Sequence, residues 1–254
     1  MNKISTKAKI GVNVTIGDFS VVHDNVIIGD NSVVEGHCSL GVSSSSGNSS
    51  PLVIGPNAHI RSHSVFYDGS TFGEGLTTGH AVIVRGGTQA GDGLQIGSQT
   101  DIEGECVIGD YVRTHSHVHI SQDAKIGNFV WFFPRVTFTN DPLPPSHIRD
   151  GVTVEDMAII CTGAILLPGI RIGKGAFVAA GSLVRSSVPD VTCVAGNPAA
   201  PFNTLNKLVN FNHGISYPWP KHFRQGYPDS AVEKMLKLAE EVQQLMDDFK
   251  GGQR

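Results

Sequence analysis

A period of six residues governs this chain. Stepping by six from Ile4 gives Ile10, Ile16, Val22, Ile28, Val34 and Leu40. After a two-residue slip through the Ser/Gly-rich stretch 41–51, the series resumes at Ile54 and runs to Phe138. A second slip spans 139–153, and the series then continues from Val154 to Val184. Of these 28 positions, 25 are Ile, Val, Leu or Phe, so the period is not a chance of composition. The fourth residue after each is mostly small: Ala8, Ser20, Ser32, Cys38, Ala58, Ser64 and onward to Ser182. Two inward positions in six fit neither a 3.6-residue helix nor a simple alternating strand. They fit short strands stacked around a narrow prism, and a fixed internal period is the mark of a solenoid. Cys38 and Cys106 then read as small core fillers.

Composition narrows the function classes. Thirty glycines in 254 residues exceed average usage of ~7%, and charged residues are only 17%, which suits a repeat rather than a disordered chain. A net charge of −4 gives no electrostatic footprint for nucleic acid or an anionic membrane. Four cysteines do not make a disulfide framework. Met1 to Ile4 runs into the repeat without an apolar leader. No stretch approaches the ~18 apolar residues of a membrane span. A soluble cytoplasmic protein is the expectation.

The [Ile/Val]-Gly-x-x-[small]-x pattern resembles the hexapeptide acyltransferase family. The resemblance implies an all-β fold, a left-handed parallel β-helix, with three hexads per coil and residues 18 apart stacked vertically. Its handedness departs from the usual right-handed crossover. Twenty-eight hexads give about nine coils. Pro189 to Pro201, with Ala195-Gly196-Asn197-Pro198-Ala199, resembles the family's exit from the helix. The expected organisation is a β-helix over 1–200 with an inserted loop at 139–153, then an aromatic, Pro-rich segment and a C-terminal helix over 201–254. Asp229 and Ser230 can cap that helix, where Val232, Met235, Leu236, Ala239, Val242, Leu245, Met246 and Phe249 recur at helical spacing. Packing or subunit contact is its expected role.

Stacking at 18 lets each edge be read as a column. The residue after each large inward one is expected to be glycine because the chain turns there. One edge obeys this: Gly55, Gly73, Gly91, Gly109, Gly127. Another has no glycine: Tyr67, Arg85, Glu103, Ser121, Thr139. Forgoing glycine in a turn costs ~1 kcal/mol, and clustered departures from local rules mark functional places. Two residues further along that edge, Glu105, Asp123 and Asp141 should stack, with Glu103, Gln122 and Asn140 beside them. Stacked carboxylates raise a pKa and favour a cationic guest such as a primary ammonium; the alternative is a solvated acidic edge. His115, His117 and His119 are all outward, and His119 lies 18 residues beyond Asp101. A carboxylate that orients an imidazole makes a general base, whereas three close histidines are also a zinc set. The loop Thr139–His147, stiffened by prolines, is placed to wall off a site in its own or a neighbouring subunit.

Phe72-Gly73-Glu74-Gly75-Leu76-Thr77-Thr78-Gly79-His80 with Val82-Ile83-Val84-Arg85, and Phe138-Thr139-Asn140-Asp141-Pro142, sharpen the match. They resemble N-acyltransferases acting on nucleotide-linked amino sugars, most closely enzymes acting on dTDP-3-amino-3,6-dideoxyhexoses. The resemblance implies a homotrimer in which acyl-CoA and the sugar nucleotide meet between subunits. It also implies direct attack of the amine on the thioester, coenzyme A as co-substrate and no metal. Carried over by position, Gly163, Ala164, Ala180 and Gly181 line the pantetheine arm, and Lys174 and Arg185 meet the CoA phosphates. Arg61, His80 and Arg85 meet the sugar nucleotide. One departure stands out: some relatives carry a catalytic histidine in Ile-Glu-His, and here Ile102-Glu103 is followed by Gly104. The expectation is that Glu103, Gln122 or Asn140 positions an amine that is already deprotonated, or that His119, held by Asp101, substitutes as base. Gly104 is expected to leave room for a different sugar or acyl group. The alternatives are a hydroxyl acceptor, and a γ-carbonic-anhydrase-like metalloprotein using the three histidines.

Overall fold

The structure is a computed structural model that describes residues 1–43, 50–217 and 226–251, the side chains of 249–251 excepted. Residues 44–49 of the Ser/Gly-rich stretch, Trp219 to Phe223 of the aromatic segment and the Phe249 side chain lie outside that description. Each hexad forms one short strand, and the strands stack into three sheets of a left-handed parallel β-helix, of ten, nine and eleven members once two strands beyond the last hexad join the third. The faces are named in chain order: face one begins with Lys3–Ile4, face two with Lys9–Ile10, face three with Thr15–Ile16. Registers follow the 18-residue rule, with Ile83 beside Asp101 and Asp101 beside His119. There are about ten coils rather than nine. Face one has ten strands, and Thr192–Gly196 adds a further rung to face three before Ala199–Thr204 folds back on it antiparallel.

The prism's interior is the core. Phe66, Ile102, Ile120, Phe132 and Leu166 are fully buried, and Cys38 and Cys106 fill it as expected. All four cysteines are free thiols. Inward hydroxyls are satisfied by corner carbonyls, as when Ser64 Oγ donates to Arg61 O at 2.8 Å. A buried hydroxyl without such a partner would cost about 1–3 kcal/mol.

The glycine column has a different cause from the one expected. The left-handed residue at each corner is two places further on, and it is frequently not glycine: Asn13, His37, Tyr111, Asp123 and Phe129 all have φ between 53° and 64°. The glycines that follow the large residue are required by the coil above. A Cβ on Gly73 would lie 2.3 Å from Asp92 Oδ1, and one on Gly173 would lie 2.4 Å from Asp190 Oδ1. Those carboxylates occupy the space because each accepts a backbone N–H from the coil below: Glu74 N to Asp92, Asp92 N to Asp110, Lys174 N to Asp190. The Gly-Asp pair is therefore one device, a carboxylate ladder that ties the coils together along the corner between faces two and three. The corner between faces one and two has no such ladder among the described residues, and only Gly41 there follows a large inward residue.

Both slips fall on that unladdered corner. Fourteen residues separate Leu40 on face one from Ile54 on face two, and sixteen separate Phe138 from Val154, where six are usual. Each slip is thus a loop inserted at the same edge.

The tail helix α1 (Asp229–Gly251) packs against face three. Met235, Ala239, Val242 and Met246 meet Ile159, Val191 and Cys193. Its start is pinned by Tyr227, whose hydroxyl accepts from Trp131 Nε1 at 2.8 Å and whose ring lies 4.0 Å from the Arg113 guanidinium carbon. Lys234 reaches the carboxylate ladder at Asp110. No described helix is long and apolar enough to cross a membrane.

Candidate functional site

The outer side of face one carries the one described cluster in which His, Asp and Glu ligand atoms converge: Asp101, Glu103 and His119 lie within 4.8 Å of one another. Strand alternation puts Asp101 and His119 outward on adjacent coils, and Glu103 follows Asp101 at the corner. His119 Nδ1 sits 3.3 Å from Asp101 Oδ2. The second oxygen, Asp101 Oδ1, is sealed from solvent without a donor among the described residues. The imidazole is therefore this carboxylate's principal outlet, which fixes the ring and leaves Nε2 for an external group. Asp101 holds the His119 pKa above the ordinary imidazole value; burial opposes this and the Glu103 charge adds to it. Arg85 Nη1 lies 3.9 Å from Glu103 Oε1, so Arg85 borders the same site. Exposed Ile83 lies one coil below Asp101, and Thr137 lies one coil above His119 with exposed Ile165 beyond it.

Gly104 is not spare room. It has φ +93°, and a Cβ there would lie 2.1 Å from Gly86 O. No side chain fits this slot as the backbone stands, so neither a histidine nor an enlarged cavity belongs there.

The acidic column does not form a common cation cleft. Glu105 lies over Gly87, its carboxylate where a Cβ would project. Asp123 faces Arg149 Nε at 3.8 Å, and Arg149 Nη1 also donates to Gln122 Oε1 at 2.8 Å. Asp141 turns into the inserted loop, accepting from Ser146 N at 2.7 Å and from Leu143 N at 3.0 Å. The Ser146 hydroxyl, which donates to Asp141 Oδ1 at 2.6 Å, and then the backbone bonds hold its carboxyl below the usual carboxylate range, the reverse of the rise expected from stacking. Asn140 Nδ2 donates to Gln122 O at 3.4 Å, and Asn140 O accepts from Asp150 N at 2.8 Å. Gln122, Asn140 and Asp141 thus fasten the loop, and Arg149, which the sequence reading missed, supplies the cation. The loop exposes Leu143 and Ile148.

The remaining expected residues divide among separate corners. Arg61 and His80 converge on Glu35 at the corner between faces three and one, at 3.5 and 3.9 Å, with His59 Nε2 at 3.1 Å. Arg85 stands on a different edge from this pair. Gly163 and Gly181 share the corner of Arg61 in later coils, with open space around them; Ala164 is buried, and Ala180 is exposed. Lys174 lies on the ladder corner, committed to Asp156 at 3.4 Å and to Glu241 of α1 at 2.7 Å. It anchors the tail and is not free for a phosphate. Arg185 is exposed on the corner between faces one and two, away from Gly163 and Gly181. His115 stacks on Phe133 at 4.9 Å, and neither it nor His117 joins His119 in the cluster, so the three histidines do not make a metal set.

Comparison with known proteins agrees with this architecture. Residues 7–41 match the family described as bacterial transferase hexapeptide (six repeats). Over 56 residues the chain is 50% identical to a 2,3,4,5-tetrahydropyridine-2,6-dicarboxylate N-acetyltransferase of Staphylococcus aureus, covering 22% of this chain and 23% of that one. Over 104 residues it is 32% identical to a serine acetyltransferase of Bacillus licheniformis, covering 40% of this chain and 43% of that one. The chain thus spans less than half the length of these curated relatives. Among solved structures, a UDP-N-acetylglucosamine acyltransferase from Campylobacter jejuni superposes with TM-score 0.61 at 16% identity, over 92% of this chain and 79% of that one. The Arabidopsis enzyme of the same name gives 0.58 at 21% identity, over 80% and 72%. These two establish the fold. The repeat and the three stacked sheets give the chain the fold of these hexapeptide-repeat acyltransferases, and residues 7–41 carry the matched transferase repeat.

Proposed function

We propose that this protein is a CoA-dependent N-acyltransferase that moves an acyl group, acetyl foremost, from acyl-CoA to the amine of a nucleotide-linked amino sugar, a dTDP-amino-dideoxyhexose foremost. The Asp101–His119 pair on face one carries the reading. The amine nitrogen attacks the thioester carbonyl, the C–S bond breaks, and an amide forms. His119 Nε2 takes the proton that the nitrogen loses and returns it to the departing sulfur. Asp101, 3.3 Å from Nδ1, holds the ring in the tautomer that leaves Nε2 available. Glu103 and Arg85 border the acceptor, and the inserted loop fastened by Gln122, Asn140 and Asp141 screens it. A homotrimer, with the loop reaching a neighbouring subunit, is part of this reading. The exposed Leu143 and Ile148 on that loop support it.

One observation favours a second reading. An oriented imidazole is what a hydroxyl acceptor needs, because an alcohol must lose its proton as it attacks. O-acylation of a sugar or small molecule is therefore the competing activity. Thiol release from acetyl-CoA, measured against dTDP- and UDP-amino sugars and their hydroxyl analogues, separates the two. Release with amines supports the first; release only with hydroxyls replaces it.

A further inference from the structure

Phe19, His37 and His63 form a stack of rings up the corner between faces three and one. Phe19 and His37 have centroids 5.0 Å apart at 23°, and His37 and His63 are 4.8 Å apart at 9°. All three side chains are exposed, and each sits on a left-handed backbone, φ 62°, 60° and 63°. Corner residues throughout the coil keep this backbone, Gln99, Arg135 and Met157 among them, so what sets this column apart is three consecutive exposed rings stacked face to face. The next coil keeps the same backbone, φ 55°, but carries only the methyl of Ala81. The stack stops one ring short. Above His63 the column continues with Ala81 and Gln99, and the next ring, His117, is three coils away.

We propose that this vacant rung is the seat of the nucleobase, which would stack on His63 and occupy the place that a ring at position 81 would take. The inference rests on the nucleotide-linked acceptor of the preceding section. A guest in that rung continues the 4.8 Å spacing that His37 and His63 already keep, and stacking on aromatic side chains accepts any base because every base has a π-face. Polar groups stand beside the vacancy. Ser62 Oγ and His80 Nδ1 lie 3.0 Å apart at its rim, able to donate to and accept from a base edge. Arg61, tied on one side to Glu35 at 3.5 Å, keeps a guanidinium near the surface for a phosphate. The distance to the chemistry also fits. Ala81 is two residues from Ile83, which pairs with Asp101, which pairs with His119. That is ~12 Å, at ~3.3 Å per residue and ~4.8 Å per coil, the kind of separation that ribose and diphosphate put between a base and a sugar amine.

Isothermal titration of the full chain with dTDP and with UDP tests this, using Ala81→Phe to fill the rung and His63→Ala to remove its floor. Phe19 shows that a phenylalanine is tolerated on this backbone in the same column. Ala81→Phe should abolish nucleotide binding, and His63→Ala should weaken it about tenfold, the range of one base–aromatic stack. CoA binding should be unchanged in both. If wild type binds neither nucleotide, or if both variants bind as tightly as wild type, the seat is refuted. Should Ala81→Phe not fold, His63→Ala decides alone. The parent reading fails separately. CoA release with a nucleotide amino sugar whose KM is unmoved in the variants refutes the seat and leaves the activity. No CoA release with any acceptor, but nucleotide binding that the variants lose, refutes the activity and leaves the seat.

Discussion

Replacing Gly104 with alanine separates two accounts of why the family's histidine is missing. If the glycine merely leaves room for a substrate, a methyl group there costs little. The structure says otherwise on two counts. The backbone is left-handed at φ +93°, which costs an L-residue about 1–2 kcal/mol. The Cβ would also lie 2.1 Å from Gly86 O, so the coil below must shift, an overpacking cost of about 1–3 kcal/mol. Together these give about 2–5 kcal/mol, or a fall in Tm of roughly 4–20 °C for a chain of this size. Gly163→Ala is the control, because Gly163 has φ +69° with nothing within 4 Å of a Cβ and should bear only the first cost. Thermal unfolding followed by circular dichroism reads both variants. A Gly104→Ala shift no larger than that of Gly163→Ala would show that the contact with Gly86 is not what demands glycine. Gly104→His should lower stability further and should not raise the rate of CoA release.

Three other outcomes follow from named contacts. Asp101→Asn removes the main cause of the raised His119 pKa, so the acidic limb of the pH–rate profile should move to lower pH while the maximal rate falls, by about 10²-fold or more if the pair acts in proton transfer; an unmoved limb argues against His119 as base. The stability this pair contributes has the opposite sense, being present at low pH and lost as pH rises through the raised His119 pKa, and Asp101→Asn should flatten that dependence in urea titrations. Tyr227→Phe strips the half-buried Trp131 indole N–H of its 2.8 Å acceptor, a loss of about 1–3 kcal/mol that should appear as faster amide exchange in α1, with turnover unchanged. Asp141→Ala should expose the inserted loop to protease; acidification should do the same only as pH falls through the lowered Asp141 pKa, since that stabilisation is present above the unfolded value and lost below it.

The six-residue period by itself determined a prism of stacked short strands and its register, while the hand of the helix came from the family resemblance. Inward size alternates so regularly that residues 18 apart must stack, and Asp101 beside His119 could be placed before any coordinates. The C-terminal helix was equally legible, because its apolar stripe is a local pattern. What the period could not show was anything set by contact between coils. The Gly-Asp ladder reads as turn chemistry until the coil above is present, because the clash of Gly73 is with Asp92 and not with its own neighbours. Two slips in phase became two loops on one corner only when Ile54 and Val154 were seen on face two. Asp141 obeyed the column rule by count but lay where the chain leaves the coil, and its carboxylate caps the loop instead of joining Asp123. Lys174 and Arg149 found partners 67 and 27 residues away, in α1 and at Gln122, which no period of 18 encodes. Sequence periodicity carries what repeats, and the site lies where tertiary contacts make one coil differ from the next.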